Sequence, residues 1–316
     1  MMQQITYNLG KAFLLALCIP LFFSACQSAT TNGEAAQDST EVPHKLGTTK
    51  IPVHPARIVV LDIGALETLH ELGVTPTGVP KKFMPDYLDP IKNNPDVADV
   101  GSVIEPDFEA ISALNPQLIL MSTRQERFYD ELSEIAPAIF IGTDNKDYIP
   151  SFIHNTQLLA KIVGKEELAQ QKIDSLQVQI SNAQEKFKAD PKKGLFMLFN
   201  NGRFSAFGKG SRFGFVHDVL GIKPVMDLTD ESVHGQRVSN ELIAEANPDY
   251  LFIVDRNAAV VGQKAEKSDM ENALIKQTNA YKQGKVFYLD PNVWFISGGG
   301  LTSVELMVND IVKLFN

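Results

Sequence analysis

An internal duplication constrains the fold of this 316-residue chain more than any other feature. Residues 109–124 align without a gap on residues 241–256, at a constant offset of 132 positions. Each copy has apolar residues at helical spacing, then an Asn-Pro pair that ends the helix, then a short apolar strand with an arginine just past it. We therefore expect two α/β lobes of similar design.

The predicted strands of the two copies are continuously apolar, at 118–121 and 251–254. Short apolar strands that alternate with helices are typical of parallel sheets whose two faces are covered by helices. Such sheets bind ligands beyond the carboxyl ends of their strands, which is where Arg124 and Arg256 stand. The repeat predicts a ligand site with one arginine from each lobe, although both could instead be solvated loop side chains.

Two helices are predicted between the lobes, over residues 151–163 and 165–188, with Gly164 ending the first. At 1.5 Å per residue the second would be about 36 Å long, and a strut of this kind favours a largely preformed cleft. The predicted fold class is α/β, with two Rossmann-like lobes that contain parallel sheets, joined by a long α-helix and separated by a cleft. The predicted boundaries are 45–164 for the N-terminal lobe, 165–190 for the connecting helix and 191–316 for the C-terminal lobe.

The amino terminus has the features of an export signal. An apolar run at 12–23 is shorter than the roughly 20 residues that a membrane-spanning helix needs. It ends in small residues before Cys26 and resembles a bacterial lipoprotein signal, although Phe23 stands where leucine is usual. We predict a signal peptide over 1–25, lipidation of Cys26 and a disordered tether over 26–44. The alternative is an ordinary signal peptide with an incidental cysteine.

Composition and motif spacing exclude several classes of protein. With 29 basic and 38 acidic side chains the formal net charge is -9, which disfavours nucleic acid as a partner. One of the two cysteines, Cys18, lies in the predicted signal, so a mature chain would have no internal disulfide and no thiolate metal site. The glycines of 208–214 lack the spacing of a nucleotide-binding loop, and no G-x-S-x-G or H-E-x-x-H motif occurs. We therefore predict neither enzymatic activity nor a cofactor.

Several motifs occur together with the two lobes, the helical connection and the lipoprotein signal. They are Pro55 to Asp62, Ser211-Arg212-Phe213-Gly214, Val233-His234-Gly235, Val254-Asp255-Arg256, and Leu289-Asp290-Pro291 with Trp294. Over about residues 45–316 the chain resembles the class III substrate-binding proteins of ABC importers for iron-siderophores and cobalamin. Within that class the motifs are similar to the Fe(III)-catecholate siderophore-binding branch.

The resemblance implies a basic cleft for an anionic iron complex, with Arg124, Arg212 and Arg256 as its cations. An Fe(III) tris-catecholate carries three negative charges, and guanidinium groups are planar donors to its oxygens that are charged at physiological pH.

The resemblance also bears on iron coordination. The branch places at His234 a histidine that can complete the coordination of iron, together with a tyrosine after the tryptophan of the last loop. Here Trp294 is followed by Phe295, which has no phenolate oxygen. We therefore expect a preference for siderophores that saturate iron with six donors, with Trp294 and Phe295 lining an apolar wall against the catechol rings. His234 is either an iron ligand or a surface residue beside the complex.

Glu109 and Glu241 occupy matching repeat positions and resemble the glutamates, one on each lobe, that pair with arginines of a permease dimer. Their alternative role is that of helix-start carboxylates favoured by the helix dipole. The resemblance implies that the chain binds ferric catecholate siderophores and delivers them to an ABC permease. It would act as an exported monomer, lipid-anchored to a membrane and facing the periplasm or the cell exterior. Haem or cobalamin cargo and an exported enzyme are the alternatives.

Overall fold

An antiparallel hairpin begins the part of the chain that the computed structural model describes, which comprises residues 38–228 and 235–315. Its strands are β1 (Ser39–His44) and β2 (Gly47–Pro52). The hairpin corrects the tether prediction for residues 39–44, because Val42 and Ile51 bury their side chains in the core of the molecule. The predicted signal peptide and Cys26 lie outside the described residues, as does His234.

A five-stranded parallel sheet forms the N-terminal lobe, in the order β5-β4-β3-β6-β7. Its strands are β3 (Ile58–Val60), β4 (Gly78–Val79), β5 (Ala98–Asp99), β6 (Leu118–Met121) and β7 (Ala138–Phe140). Its helices are α1 (Ile63–Glu71), α2 (Asp89–Lys92), α3 (Phe108–Ala113) and α4 (Tyr129–Ile135), with 3-10 turns at Asp86–Leu88 and Thr123–Phe128. The predicted strand at 118–121 is fully buried, as expected for a strand covered on both faces.

Two long helices follow, α5 (Tyr148–Val163) and α6 (Glu166–Lys188). Gly164 separates them in the left-handed conformation, with a φ of 68°, as the sequence predicted. The apolar side chains of α6 recur at helical spacing on one buried face: Ala169, Ile173, Leu176, Ile180, Ala183 and Phe187.

The C-terminal lobe has a parallel centre extended by antiparallel strands. Its strands are β8 (Lys193–Asn200), β9 (Arg203–Phe207), β10 (Lys223–Pro224), β11 (Gln236–Val238), β12 (Tyr250–Asp255) and β13 (Val286–Leu289). Strands β10, β8, β12 and β13 are parallel, whereas β9 and β11 are antiparallel additions. The addition starts at the two-residue turn Asn201-Gly202, where both residues have positive φ, the geometry of a tight hairpin.

Short helices and one long terminal helix complete this lobe. They are α7 (Phe215–Asp218), α8 (Asn240–Ala246), α9 (Arg256–Val261), α10 (Lys267–Met270), α11 (Asn279–Lys282) and α12 (Leu301–Lys313), with a 3-10 turn at Ile275–Gln277 and a π-helical turn at Asn292–Ile296. None of the helices in the described part of the chain is long and apolar enough to cross a membrane.

The duplicated segments have the same local structure in both lobes. Helices α3 and α8 begin at side-chain caps, Asp107 and Ser239, and are followed by Asn115 and Asn247 at φ values of 45° and 50°. Asparagine tolerates this left-handed conformation, and each one precedes the proline that leads into strand β6 or β12. The predicted two-lobe α/β fold is therefore confirmed.

One continuous apolar core joins the lobes and the connecting helices, and it includes Leu66 of α1, Phe152 of α5, Leu176 of α6, Phe252 of β12 and Val304 of α12. The backbones of α1 and of the start of α12 approach each other closely. A Cβ atom on Gly64 would lie 2.8 Å from the carbonyl carbon of Gly299.

Candidate ligand-binding site

The carboxyl ends of strands in the N-terminal lobe and two loop segments of the C-terminal lobe frame one cavity of about 330 Å³. The N-terminal lobe contributes the residues just after β3, β6 and β7, and the C-terminal lobe contributes the turn around Arg212 and the segment from Trp294 to Gly299. On the side of the N-terminal lobe the cavity therefore lies where parallel α/β sheets place their ligands.

The duplicated arginines stand at equivalent places in the two lobes; Arg124 lines the cavity, whereas Arg256 does not. Arg124 lies in the 3-10 turn after β6, which Ser122 and Gln125 hold by reciprocal capping hydrogen bonds. Arg256 is the first residue of α9, directly after β12, and the carboxylate of Asp255 caps that helix.

The third arginine, Arg212, belongs to a turn fixed by its own backbone. The Ser211 hydroxyl donates to the Gly208 carbonyl at 2.5 Å, and the Gly214 N–H donates to the Ser211 carbonyl at 2.9 Å. The Gly210 N–H donates to the Asp218 carboxylate at 2.6 Å. A turn held on both sides keeps the intervening guanidinium directed into the cleft.

The three guanidinium groups converge on the ring of Phe295. Their central carbons lie 4.4 Å (Arg212), 5.8 Å (Arg256) and 5.9 Å (Arg124) from the ring centroid. Arg124 also donates to the carbonyl oxygens of Phe295 and Ile296, at 2.5 and 3.0 Å, and Arg212 donates to the Phe295 carbonyl at 2.8 Å. Cations from both lobes thus meet on one segment of the C-terminal lobe, while their contact with a ligand stays a prediction.

Positive charge is in excess at this point. Burial, together with the neighbouring charges of Arg124 and Arg256, lowers the pKa of Arg212 to about 9. Burial also lowers the pKa of Arg124, against the attraction of the Asp62 carboxylate. Within residues 38–228 and 235–315, no carboxylate forms an ion pair with any of the three arginines. Half-buried like charges that have no ion-pair partner, and that Asp62 offsets only in part, favour the binding of an anion.

Trp294 and Phe295 differ from the expected apolar wall. Trp294 is only 2% exposed, donates from Nε1 to Asp310 at 3.2 Å, and packs on Phe196 and Phe215, so only part of it reaches the cavity. Phe295 is 7% exposed and does not line the cavity, because its ring is covered by the guanidinium groups. The contacts therefore do not support stacking of Phe295 on a catechol ring.

Several residues around the cavity were not predicted from the sequence. Asp62 follows the carboxyl end of β3, a position at which parallel sheets place ligand-binding residues and which the sequence therefore indicates. It caps α1 and accepts a hydrogen bond from the Ser122 hydroxyl at 2.6 Å. Tyr148, the first residue of α5, donates to the Gly298 carbonyl and lines the cavity. No sequence pattern distinguishes this tyrosine from a core residue.

Glu67 lies directly behind the cavity and is fully buried. It belongs to α1 of the N-terminal lobe and accepts hydrogen bonds from the Ser297 hydroxyl and the Ser303 backbone N–H. Burial raises its pKa to about 8, although these hydrogen bonds oppose the shift. The carboxyl group links the two lobes at the floor of the cleft.

Glu109 and Glu241 are both exposed in the first turns of α3 and α8. The N–H of Glu241 itself and the Ser239 hydroxyl lower the pKa of Glu241. Their equivalent positions fit a docking role and the helix-dipole role equally, so docking stays a prediction. Among the described residues, no group of three histidine, cysteine, aspartate or glutamate side chains could hold a metal ion.

Comparison with known proteins gives consistent relatives. Residues 58–293 match the family described as "Periplasmic binding protein". The petrobactin-binding protein YclQ of Bacillus subtilis is 38% identical over 304 residues, which cover 94% of this chain and 96% of the relative. The ferric-anguibactin-binding protein FatB of Vibrio anguillarum is 35% identical and covers 99% of each chain.

Solved structures agree with the sequence relatives. The crystal structure of YclQ superposes with a TM-score of 0.86 at 38% identity, covering 89% of this chain and 99% of that one. The periplasmic catecholate-siderophore binding protein VctP of Vibrio cholerae gives a TM-score of 0.82 at 33% identity, covering 87% of this chain and 100% of that one. This chain therefore belongs to the periplasmic binding protein family.

Proposed function

We propose that this protein binds ferric siderophore complexes of the catecholate type and delivers them to the permease of an ABC importer. The observation that carries the proposal is the convergence of Arg124, Arg212 and Arg256 on Phe295 from two lobes, beside a cavity of about 330 Å³. The names of the relatives support it, since they bind petrobactin, ferric anguibactin and a catecholate siderophore.

Electrostatics favour an anionic cargo despite the net charge of -9. Exposed surface charges are screened over about 8 Å at physiological salt, whereas half-buried cations facing a cavity are screened much less. A trianionic iron complex would meet three guanidinium groups that form no ion pair with a carboxylate of the described residues, each with planar N–H donors for catecholate oxygens. Haem and cobalamin would not require three arginines around a compact anion.

We further propose that hexadentate siderophores are preferred. Position 295 has no phenolate oxygen, so a complex with vacant iron positions would gain no bond there. Direct ligation by His234 stays a prediction, because that residue lies outside the described residues.

Delivery and location complete the proposal. Glu109 and Glu241 are exposed on separate lobes, as docking marks for a two-fold permease dimer would be. We propose that the exported chain acts as a monomer anchored through a lipid on Cys26, and we propose no enzymatic activity.

Fluorescence titration tests the cargo, since the sequence contains a single tryptophan, Trp294, whose ring reaches the cavity. The ligands are a ferric hexadentate tris-catecholate, a ferric tetradentate bis-catecholate, haem and cobalamin. We expect quenching to be strongest, at the lowest ligand concentration, with the hexadentate complex. Tighter binding of the tetradentate complex would defeat the denticity preference, and selective binding of haem or cobalamin would overturn the siderophore assignment.

A matched pair of variants ties the cargo to the arginines. Arg212→Gln should weaken binding of the tris-catecholate about 10-fold to 150-fold, because hydrogen bonds to charged groups contribute roughly 1.5–3 kcal/mol. Arg203→Gln removes an equal charge from an exposed position at the start of β9 and should leave affinity unchanged. Equal losses in the two variants would show that general charge, not the site, governs binding.

A further inference from the structure

The segment that ends the π-helical turn has an unusual set of partners. The turn Asn292–Ile296 closes with a hydrogen bond from the Ser297 N–H to the Asn292 carbonyl, at 3.0 Å. The chain then leaves the helical path at Ser297, whose ψ is -119°, and Gly298 follows with a φ of 83°. The last carbonyls of a helical turn have no donor from their own helix and need partners elsewhere.

Arginine side chains supply those partners. Arg124 from the N-terminal lobe donates to the carbonyls of Phe295 and Ile296, and Arg212 donates to that of Phe295. Carbonyls at a helical C-terminus carry partial negative charge, so cations are the favoured donors. The three hydrogen bonds leave further N–H groups on both guanidiniums, since each carries five.

The ring of Phe295 provides the second element. Its face attracts all three cations, with Arg212 closest at 4.4 Å, and Arg212 also lies 5.0 Å from the ring centroid of Phe213. An aromatic face attracts a cation more strongly when both are removed from water. Without such attraction, three like charges in one half-buried place would separate.

We propose that Phe295 is the positioning residue of the site: its ring and its carbonyl oxygen hold Arg124, Arg212 and Arg256 together before the ligand arrives. The inference rests on the proposed function, because the arranged cations are those that would bind the ferric complex. It assigns Phe295 a role beneath the arginines, in place of the catechol stacking expected from the sequence. Preorganised donors bind more tightly, because they are already ordered before binding.

The test compares variants of the mature chain in titrations with the ferric hexadentate tris-catecholate. Phe295→Leu removes the ring but keeps an apolar side chain, and we expect affinity to fall about 10-fold to 100-fold from the loss of three cation–π contacts. Phe295→Tyr keeps the ring and should stay within about threefold of the wild type, because a saturated iron offers its hydroxyl no bond. Phe287→Leu, in β13, removes a half-buried ring that contacts none of the three arginines and should bind as the wild type does.

The dependence of ligand affinity on pH, on its alkaline side, distinguishes a positioning role of Phe295 from a simple packing role. We call this part of the pH profile the alkaline limb. Burial and the charges of Arg124 and Arg256 lower the pKa of Arg212. Burial also lowers the pKa of Arg124, and the Asp62 carboxylate opposes that shift. With a pKa of Arg212 near 9, wild-type affinity should decline as pH rises through about 9. The aromatic face favours the charged form, so Phe295→Leu should move this limb to lower pH and Phe287→Leu should not.

The positioning role would be overturned if folded Phe295→Leu bound the tris-catecholate with wild-type affinity and kept its alkaline limb at the wild-type pH. It would also be overturned if Phe295→Tyr lost as much affinity as Phe295→Leu. If Phe295→Leu does not fold, Phe295→Met, which also removes the ring but fills more of its volume, takes its place with the same expected loss of affinity and the same shift of the alkaline limb. A wild-type protein that does not bind the tris-catecholate at all would instead refute the proposed function.

Discussion

Glu67 is a carboxyl group without access to solvent, and its replacement by glutamine should change how stability depends on pH. The side chain lies between the lobes, where it accepts hydrogen bonds from Ser297 and Ser303. Glutamine has the same shape and keeps one oxygen acceptor, but it cannot ionise. The comparison therefore isolates the cost of a buried charge at the floor of the cleft.

The magnitude follows from the raised pKa of Glu67. Its folded value of about 8 lies above the ordinary value of 4.5, so between these limits the folded state holds a proton that the unfolded state has released. The free energy of unfolding should then fall by about 1.4 kcal/mol per pH unit as pH rises, and level off above about pH 8. Between pH 5 and 8 the wild type should lose roughly 3–4 kcal/mol relative to Glu67→Gln.

Urea unfolding of both proteins from pH 5 to 9 measures this difference directly. The matched control is Glu71→Gln, on the same helix. Burial works against the shift at Glu71, but the hydrogen bond and charge of Lys172 lower its pKa. Its contribution is therefore gained as pH rises through the acidic range, and it is small because the pair is partly exposed. A constant difference between the wild type and Glu67→Gln over pH 5–8 would refute the reasoning.

Two further changes test docking and lobe contact. Replacing both Glu109 and Glu241 by lysine should abolish transport of the ferric complex into cells, while its affinity in titrations stays unchanged. Retained transport would contradict the docking role. The control for the change of charge replaces the exposed Glu185 and Glu245 by lysine. Gly300→Ala should destabilise the fold by about 1–3 kcal/mol in urea unfolding, since its Cβ would press on the Gly64 carbonyl and on Glu67. Gly299→Ala, whose Cβ meets only Thr143 at 3.4 Å, should cost less, and equal losses would argue against close approach as the cause.

The duplication made much of this architecture predictable. Because residues 109–124 and 241–256 repeat a helix, an Asn-Pro stop and a buried strand, the lobes and the edge positions of Arg124 and Arg256 followed from the sequence. Helix α6 was predicted to within a residue at each end, since its apolar residues recur at helical spacing and Gly164 precedes it.

Other features depend on tertiary contacts that a single sequence does not reveal. The hairpin β1–β2 has few apolar residues, and its order comes from burying Val42 and Ile51 against distant parts of the chain. In the sequence Glu67 has the pattern of an ordinary carboxylate on a helix surface, and only the packing of α12 against α1 buries it. The Phe295 carbonyl is available to Arg124 and Arg212 because of the backbone path of a π-helical turn, and side-chain identity alone does not specify that path.

The hydrogen bonds of Arg124 bear on how the cleft operates. This side chain starts in the N-terminal lobe and ends on carbonyls of the C-terminal lobe, so the lobes are already linked at the site itself. Glu67 adds a second link at the floor, and the shared core with α5 and α6 adds a third. Wide opening would expose the Glu67 carboxyl and the Phe295 carbonyl together, and each lost partner would leave a polar group to be solvated anew. Small movements around a preformed cavity are therefore favoured, and the ligand has to fit cations that are already in place.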